Sequence, residues 1–175
     1  GLPLPETRTA WKSLIEARIT PDKPLKRVMV THMHPDHVGC AGWLCHKYGA
    51  DLWMSRLEYI TCRMLVSDTG REAPKAGVDF FRRAGWNDAQ IDNYKERFGG
   101  FGRGVSQMPD AFRRLSDGDT FEMARQTWEV IIGDGHSPEH ACLYCPELNV
   151  LISGDQLLPR ISSNVSVHPT EPDAD

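Results

Sequence analysis

The feature that most constrains this chain is a dense cluster of histidines and an aspartate behind a short apolar segment. Residues 28–30 are apolar and partly β-branched, lie between turn-forming segments, and predict a buried strand. Successive side chains on an extended segment point in opposite directions, so His32 and His34 can face one side and bind one metal ion. Beyond the next turn, Asp36 and His37 can reach a second ion. Imidazole nitrogen and carboxylate oxygen are suitable ligands for zinc, iron or manganese.

Two distant positions offer further ligands to the same site. His136 follows a predicted strand at 128–132, and Asp155 follows another at 150–152. Each comes directly after a glycine, which lets the backbone approach a neighbour closely. Ligands that several strands present at one edge of a sheet stand on rigid supports. The sequence therefore predicts a metal site assembled across a sheet rather than within one loop.

The remaining periodicity predicts an α/β fold. Capping boxes are predicted at Ser55 with Glu58 and at Asn87 with Gln90, and Gly49 is expected to end a helix. The predicted helices cover residues 6–19, 38–48, 55–66 and 91–98. The predicted strands, besides 28–30, cover residues 52–54, 120–123, 128–132, 141–145 and 150–153.

A basic helical segment interrupts the strand-rich parts. Residues 56–114 show helical patterns with Gly and Pro breaks and no convincing strand. They contain 11 Lys or Arg and 8 Asp or Glu, whereas the rest of the chain contains 9 and 16. We therefore predict one domain over residues 1–175, in which residues 56–114 form a basic helical insertion on an acidic body.

In this order of motifs the chain resembles the metallo-β-lactamase-fold hydrolases. The resemblance covers nearly the whole chain through His-x-His-x-Asp-His, then Gly-His, then Gly-Asp, and its Gly-His-Ser-Pro-x-His pattern is similar to the hydroxyacylglutathione hydrolase and lactamase-β-like branch. It implies an αββα sandwich, partial here because strands expected before residue 1 and a last histidine ligand expected after Asp155 are missing. His168 is interpreted as a loop residue. We thus expect both ends of the native domain to lie outside this chain.

The resemblance also implies roles for individual residues. It implies two divalent ions, zinc in the first instance with iron or manganese as alternatives, and a catalytic role for Asp36 in orienting the attacking hydroxide. His140 is expected to support the fold behind the ligands. The implied ligands are His32, His34 and His136 for the first ion, Asp36 and His37 for the second, and Asp155 as a bridge.

The activity expected from this resemblance is hydrolysis of a thioester, ester or lactone, with an anionic acyl compound as the small-molecule substrate. A phosphodiesterase or endoribonuclease of the same fold is the alternative, since the basic segment can follow a phosphate backbone. Two non-hydrolytic alternatives are a mononuclear iron sulfur dioxygenase and a binding domain that has lost its metal.

Composition narrows the setting of this chemistry. The net charge of -4 argues against a surface built throughout for nucleic acid or an anionic membrane, and no apolar run approaches the roughly 20 residues that span a bilayer. Five cysteines, an odd number, predict reduced thiols and a cytoplasmic location. Cys142 and Cys145 form a C-x-x-C pair that is interpreted as core thiols rather than a zinc ligand pair.

Overall fold

The computed structural model describes residues 1–173, which form helices packed on one of two sheets. The helices are α1 (Pro5–Arg18), α2 (Pro35–Val38), α3 (Ala41–Tyr48), α4 (Arg56–Ser67), α5 (Lys75–Arg83) and α6 (Asp88–Arg97), followed by a 3-10 turn at Phe101–Gly104. The strands are β1 (Arg27–Met29), β2 (Asp51–Ser55), β3 (Arg113–Leu115), β4 (Thr120–Met123), β5 (Gln126–Gly133), β6 (His140–Cys145) and β7 (Val150–Ile152). None of the helices in this part of the chain is both long and apolar enough to cross a membrane.

The two sheets differ in strand direction. The first contains three parallel strands in the order β1-β2-β3, and the second contains four antiparallel strands in the order β4-β5-β6-β7. The strands of the first sheet are connected through helices, as parallel strands require, whereas those of the second follow one another through short turns. The predicted α/β class is therefore confirmed.

Alternation along β2 places this strand between two cores. Leu52 and Met54 are fully buried on the helical side, in one core with Tyr59 and Cys62 of α4. Trp53 points the other way and packs with the apolar face of the second sheet. This second core contains Leu115 of β3 together with side chains of the second sheet, namely Trp128, Val130, Ala141, Leu143 and Cys145.

The opposite face of the second sheet has no such cover within residues 1–173. Thr127, Glu129 and Ile131 alternate with the buried residues of β5 and are exposed. The described layers are thus helices, first sheet and second sheet, which correspond to three of the four layers of an αββα sandwich. This arrangement agrees with the predicted partial sandwich.

Several local signals act as predicted. Gly49 ends α3 in the left-handed region at φ 67°, and Asn87 with Gln90 forms a reciprocal capping box at the start of α6. The helix predicted over 38–48 is divided, because α2 ends at Val38 and α3 begins at Ala41.

The capping box predicted at Ser55 and Glu58 was wrong. Ser55 makes no side-chain bond to its own helix, and its hydroxyl donates instead to the carbonyl of Glu139 at 2.5 Å. Glu58 is turned into the protein interior and is fully buried. Both side chains therefore make tertiary contacts in place of a local cap.

Residues 56–114 are helical for most of their length. The prediction that they contain no strand was wrong at their end, where β3 begins at Arg113 and pairs in parallel with β2. Further inside the segment, Phe81 of α5 stacks on Trp86 with ring centroids 4.1 Å apart and also packs edge-on against Tyr94 of α6. The aromatic residues of α5 thus join the two helices to each other.

Candidate metal centre

The histidine cluster begins where the chain leaves the first sheet. The amide of Val30 still donates to the carbonyl of Trp53 on β2, at 3.0 Å, and the chain then turns away. His34 precedes α2, whose first residue is Pro35, so this short helix begins inside the cluster. As a result His32 is fully buried beneath the turn, whereas His37 on α2 is partly exposed.

The second sheet brings the other predicted ligands to the same place. His136 lies in the connection from β5 to β6, and Asp155 lies in the turn after β7. The amide of Ala141 on β6 donates to the carbonyl of Thr31 at 2.8 Å, which ties this strand to the start of the cluster. Predicted ligands from distant parts of the chain thus meet, and the pair His34 and His136 is separated by 102 positions in sequence.

Five of the six predicted ligands form two groups whose candidate ligand atoms lie within 4.8 Å of one another. One group contains His32, His34 and His136, and the other contains His32, His37 and Asp155. The first group is the set expected for one metal ion. The second differs from expectation because the buried His32, rather than Asp36, accompanies His37.

The carboxylate of Asp155 spans the two groups. Its Oδ1 lies 3.3 Å from Nε2 of His37, and its Oδ2 lies 3.7 Å from Nε2 of His136. Asp36 lies at the outer side, with 64% of its side chain exposed and Oδ2 3.5 Å from Nε2 of His37. Asp155 is therefore placed as a bridge would be, and Asp36 lies at the opening.

The donor atoms fit a cation. Nε2 of His32 is buried and has no hydrogen-bond partner within the described residues, although a buried ring nitrogen normally has one. Burial, followed by the neighbouring His37, His140, His34 and His136, lowers the pKa of His32 to about 2. The ring is consequently neutral, and a nitrogen lone pair is available to a metal ion.

The distance between the His34 and His136 rings also fits a shared metal ion. Nδ1 of His34 lies 3.1 Å from Nε2 of His136. Two nitrogens that share a tetrahedral zinc ion at 2.0–2.1 Å lie about 3.3 Å apart. Burial also lowers the pKa of His34, with the adjacent His136 as the next cause, so this ring favours the neutral form that binds metals.

His140 supports the cluster from behind, as the sequence led us to expect. Its ring is fully buried and stacks on His32 with centroids 4.7 Å apart and an interplanar angle of 23°. Its Nε2 accepts the amide hydrogen of Asp155 at 3.2 Å. Burial lowers the pKa of His140 to about 4, so the ring is neutral and acts here as an acceptor.

Sequence reasoning missed Glu58. Its carboxylate is fully buried beneath the cluster and accepts backbone N–H groups from Met33 and Glu139. Burial raises its pKa, and the two N–H donors oppose that rise. The spacing from Ser55 suggested only a local cap, and no other signal in the sequence marks this carboxylate.

The remaining residues are placed away from the cluster. His168, interpreted as a loop residue, is exposed and pairs with Glu171 in an isolated bridge. The cysteines are all buried and unpaired, Cys142 and Cys145 among them, which agrees with core thiols.

Comparison with known proteins assigns this architecture to a family. The sequence model of the metallo-beta-lactamase superfamily matches residues 1–175. The chain belongs to this superfamily. Its mixed sheets and helices, and the clustered His and Asp side chains, are thus those of a superfamily that includes metal-dependent hydrolases.

Individual relatives are similar over most of the chain. A beta-lactamase domain protein from Burkholderia ambifaria is 38% identical with a TM-score of 0.83, covering 99% of this chain and 48% of its own. A metallo-beta-lactamase family protein from Thermus thermophilus is 26% identical with a TM-score of 0.73, covering 98% of this chain and 54% of its own. An uncharacterized protein from Aquifex aeolicus is 26% identical over 132 residues, which are 74% of this chain and 48% of that protein. This chain therefore spans about half the length of the relatives it matches.

Proposed function

We propose that this chain carries the dinuclear metal centre of a hydrolase that cleaves a thioester, ester or lactone. The observation that carries the proposal is the pair of ligand groups that share His32 and have the Asp155 carboxylate between them. A single ion would need only one of these groups. Two adjacent groups favour two ions, for which zinc is the first candidate because imidazole and carboxylate are its common ligands.

Each predicted ligand has a role in this proposal. His32, His34 and His136 would hold one ion, and His37 and Asp36 the other, with Asp155 between the two. Bound divalent ions would lower the pKa of a bound water so that hydroxide forms at neutral pH, and they would polarise the carbonyl group of the substrate. The chain's own task is to keep the imidazoles neutral, which burial of His32 and His34 supports.

Asp36 is the proposed catalytic residue. Among the six predicted ligand residues it alone is exposed, and its carboxylate lies beside the His37 ring. An exposed carboxylate at the opening can accept a proton from the attacking water and return it to the leaving group.

The test of Asp36 compares turnover in two variants. Asp36→Asn keeps the shape of the side chain but removes the proton acceptor, and we expect loss of at least about 100-fold in kcat. Asp22→Asn changes an exposed carboxylate in the turn after α1 and should leave kcat unchanged. Equal turnover in the Asp36 variant and the parent would refute this role.

The charge of residues 56–114 supports an anionic acyl substrate. This segment has a net charge of +3, from 11 Lys or Arg against 8 Asp or Glu, whereas the rest of the chain has a net charge of -7, from 9 against 16. A positive element near an active site raises the local concentration of anionic substrates. We propose that thioesters of an anionic carrier, such as glutathione or coenzyme A, are the first compounds to assay.

The decisive experiment combines metal analysis with a substrate panel. Metal content is measured by mass spectrometry on the protein as purified, and the same protein is then offered a thioester, a lactone and a single-stranded RNA. Two zinc ions and thioester or lactone cleavage are expected. RNA cleavage would favour the phosphodiesterase, and one iron ion with oxygen consumption would favour the dioxygenase.

The thiols support a cytoplasmic location. All five cysteines are buried and unpaired, and such residues persist in a reducing compartment. We therefore propose a cytoplasmic enzyme with a soluble small-molecule substrate and no requirement for a membrane surface.

A further inference from the structure

Glu58 connects the two loops that carry the predicted ligands. Its Oε2 accepts the amide hydrogen of Met33 at 2.7 Å, and its Oε1 accepts that of Glu139 at 2.8 Å. Met33 lies between His32 and His34, and Glu139 lies three residues after His136. One buried carboxylate on α4 thus holds the backbone of both loops, each with a different oxygen atom.

We propose that Glu58 is a positioning residue of the metal centre, which fixes the loop of His32 and His34 relative to the loop of His136. The inference rests on the proposed function, because it concerns the geometry that these three histidines would offer to a metal ion. Glu58 would act on the three side chains through the backbones of their loops.

Further hydrogen bonds, in which Glu139 supplies the acceptor atoms, join the start of α4 to the loop after His136. Oε2 of Glu139 accepts the amide hydrogen of Leu57 in the first turn of α4, at 2.7 Å. The hydroxyl of Ser55 donates to the Glu139 carbonyl. The negative charge of Glu139 also lies at the positive end of the helix, which strengthens the contact. The start of α4 and the loop after His136 are therefore joined by three hydrogen bonds, two of them to carboxylate oxygens.

The two contacts of Glu58 require a carboxylate. Both of its oxygens accept, whereas the amide of a glutamine offers one oxygen and one NH2 group. Glu58→Gln would therefore face an amide hydrogen of Met33 or Glu139 with a second donor and leave a buried N–H group unpaired. The side chain stays almost the same size, so this variant tests hydrogen bonding rather than packing.

The control variant changes a carboxylate that holds a loop elsewhere. Oδ2 of Asp119 accepts the amide hydrogen of Ser116 at 2.8 Å, in the turn between β3 and β4. Asp119→Ala removes a comparable carboxylate-to-backbone contact that involves none of the six predicted ligands. It reports what a general loss of stability does to metal binding.

The experiment titrates Co²⁺ into the metal-free parent chain and both variants while recording the visible absorption spectrum and urea unfolding. We expect Glu58→Gln to weaken Co²⁺ binding by about 10-fold to 100-fold and to shift the absorption bands, since the residues that orient metal ligands have effects of this size. Asp119→Ala should lower the urea midpoint but keep the parent's affinity and spectrum. Parent-like affinity and spectrum in Glu58→Gln would overturn the inference.

Two further outcomes are informative. If the parent chain binds no Co²⁺, the proposed function fails, and this result differs from binding that is equal in parent and variant. If Glu58→Gln does not fold, Glu58→Asp replaces it, because this change keeps both carboxylate oxygens but shortens the side chain, so that it no longer reaches the amides of both loops. A several-fold loss of Co²⁺ affinity in Glu58→Asp then supports the inference, and parent-like affinity and spectrum overturn it.

Discussion

Gly154 is the position where one methyl group should disturb the metal centre most. It lies directly before Asp155, with φ at 50°, in the left-handed region that glycine adopts without cost. A Cβ atom at this position would lie 2.6 Å from Nε2 and 2.7 Å from Cε1 of His140. These atoms belong to a fully buried ring that stacks on His32, so the ring has little room to retreat.

The expected cost of Gly154→Ala has two parts. A left-handed conformation costs a non-glycine residue about 1 kcal/mol. Forcing a methyl group into a packed interior adds roughly 1–3 kcal/mol. We therefore expect the free energy of unfolding to fall by about 2–4 kcal/mol in total.

A matched glycine separates the two parts. Gly118 also has a positive φ, at 74°, but a Cβ atom there would meet nothing within 4 Å. Gly118→Ala should therefore cost only the conformational part, about 1 kcal/mol. The difference between the two variants measures the collision with His140.

Urea unfolding in the presence of a chelator gives both free energies, and a zinc titration gives the effect on the site. Displacement of His140 would break its bond to the amide of Asp155 and tilt the ring against His32. Zinc affinity should therefore fall in Gly154→Ala and stay unchanged in Gly118→Ala. Equal stability and equal zinc affinity in the two variants would refute the argument.

Two further predictions concern acid and a helix cap. The folded-state pKa values of His32 and His140, about 2 and about 4, lie below the ordinary 6.5, so the unfolded chain binds more protons as the pH falls below about 6.5. The metal-free protein should therefore lose up to about 1.4 kcal/mol of stability per pH unit for each ring between pH 6 and pH 4.5, and urea midpoints that stay constant over this range would contradict this. Asn87→Ala removes the acceptor for the amide of Gln90 and should cost about 1 kcal/mol with no change in zinc affinity, as urea unfolding and a zinc titration can check.

Local backbone signals were the part of the fold that the sequence predicted best. Gly49 ends a helix and Asn87 begins one because their effects depend on neighbours within a few residues. The same reasoning failed at Ser55 and Glu58, where the spacing is that of a capping box but the partners lie on Glu139 and Met33. A polar side chain that can cap a helix can equally bond to a distant backbone, and only the folded chain decides between them.

At the candidate site, too, some features could be predicted from the sequence and others could not. His32, His34 and His37 were identified because their spacing in one short segment is itself unusual, and His136 and Asp155 because each follows a strand and a glycine. The sharing of His32 between two groups could not be predicted, since it depends on how deeply the turn before α2 is buried. Residue spacing thus identifies ligands, whereas their grouping depends on packing.

The ligands come from both sheets, and this connects metal binding to the packing of the fold. His32, His34 and His37 follow the first sheet, whereas His136 and Asp155 are carried by the second. The sheets also meet through the bond from Ala141 to Thr31, so the protein has a fixed junction before any ion binds. A ligand that binds only the folded state stabilises it in proportion to the logarithm of its concentration. An ion at this site would bind residues carried by both sheets. Its binding energy would therefore oppose any unfolding step in which the two sheets move apart.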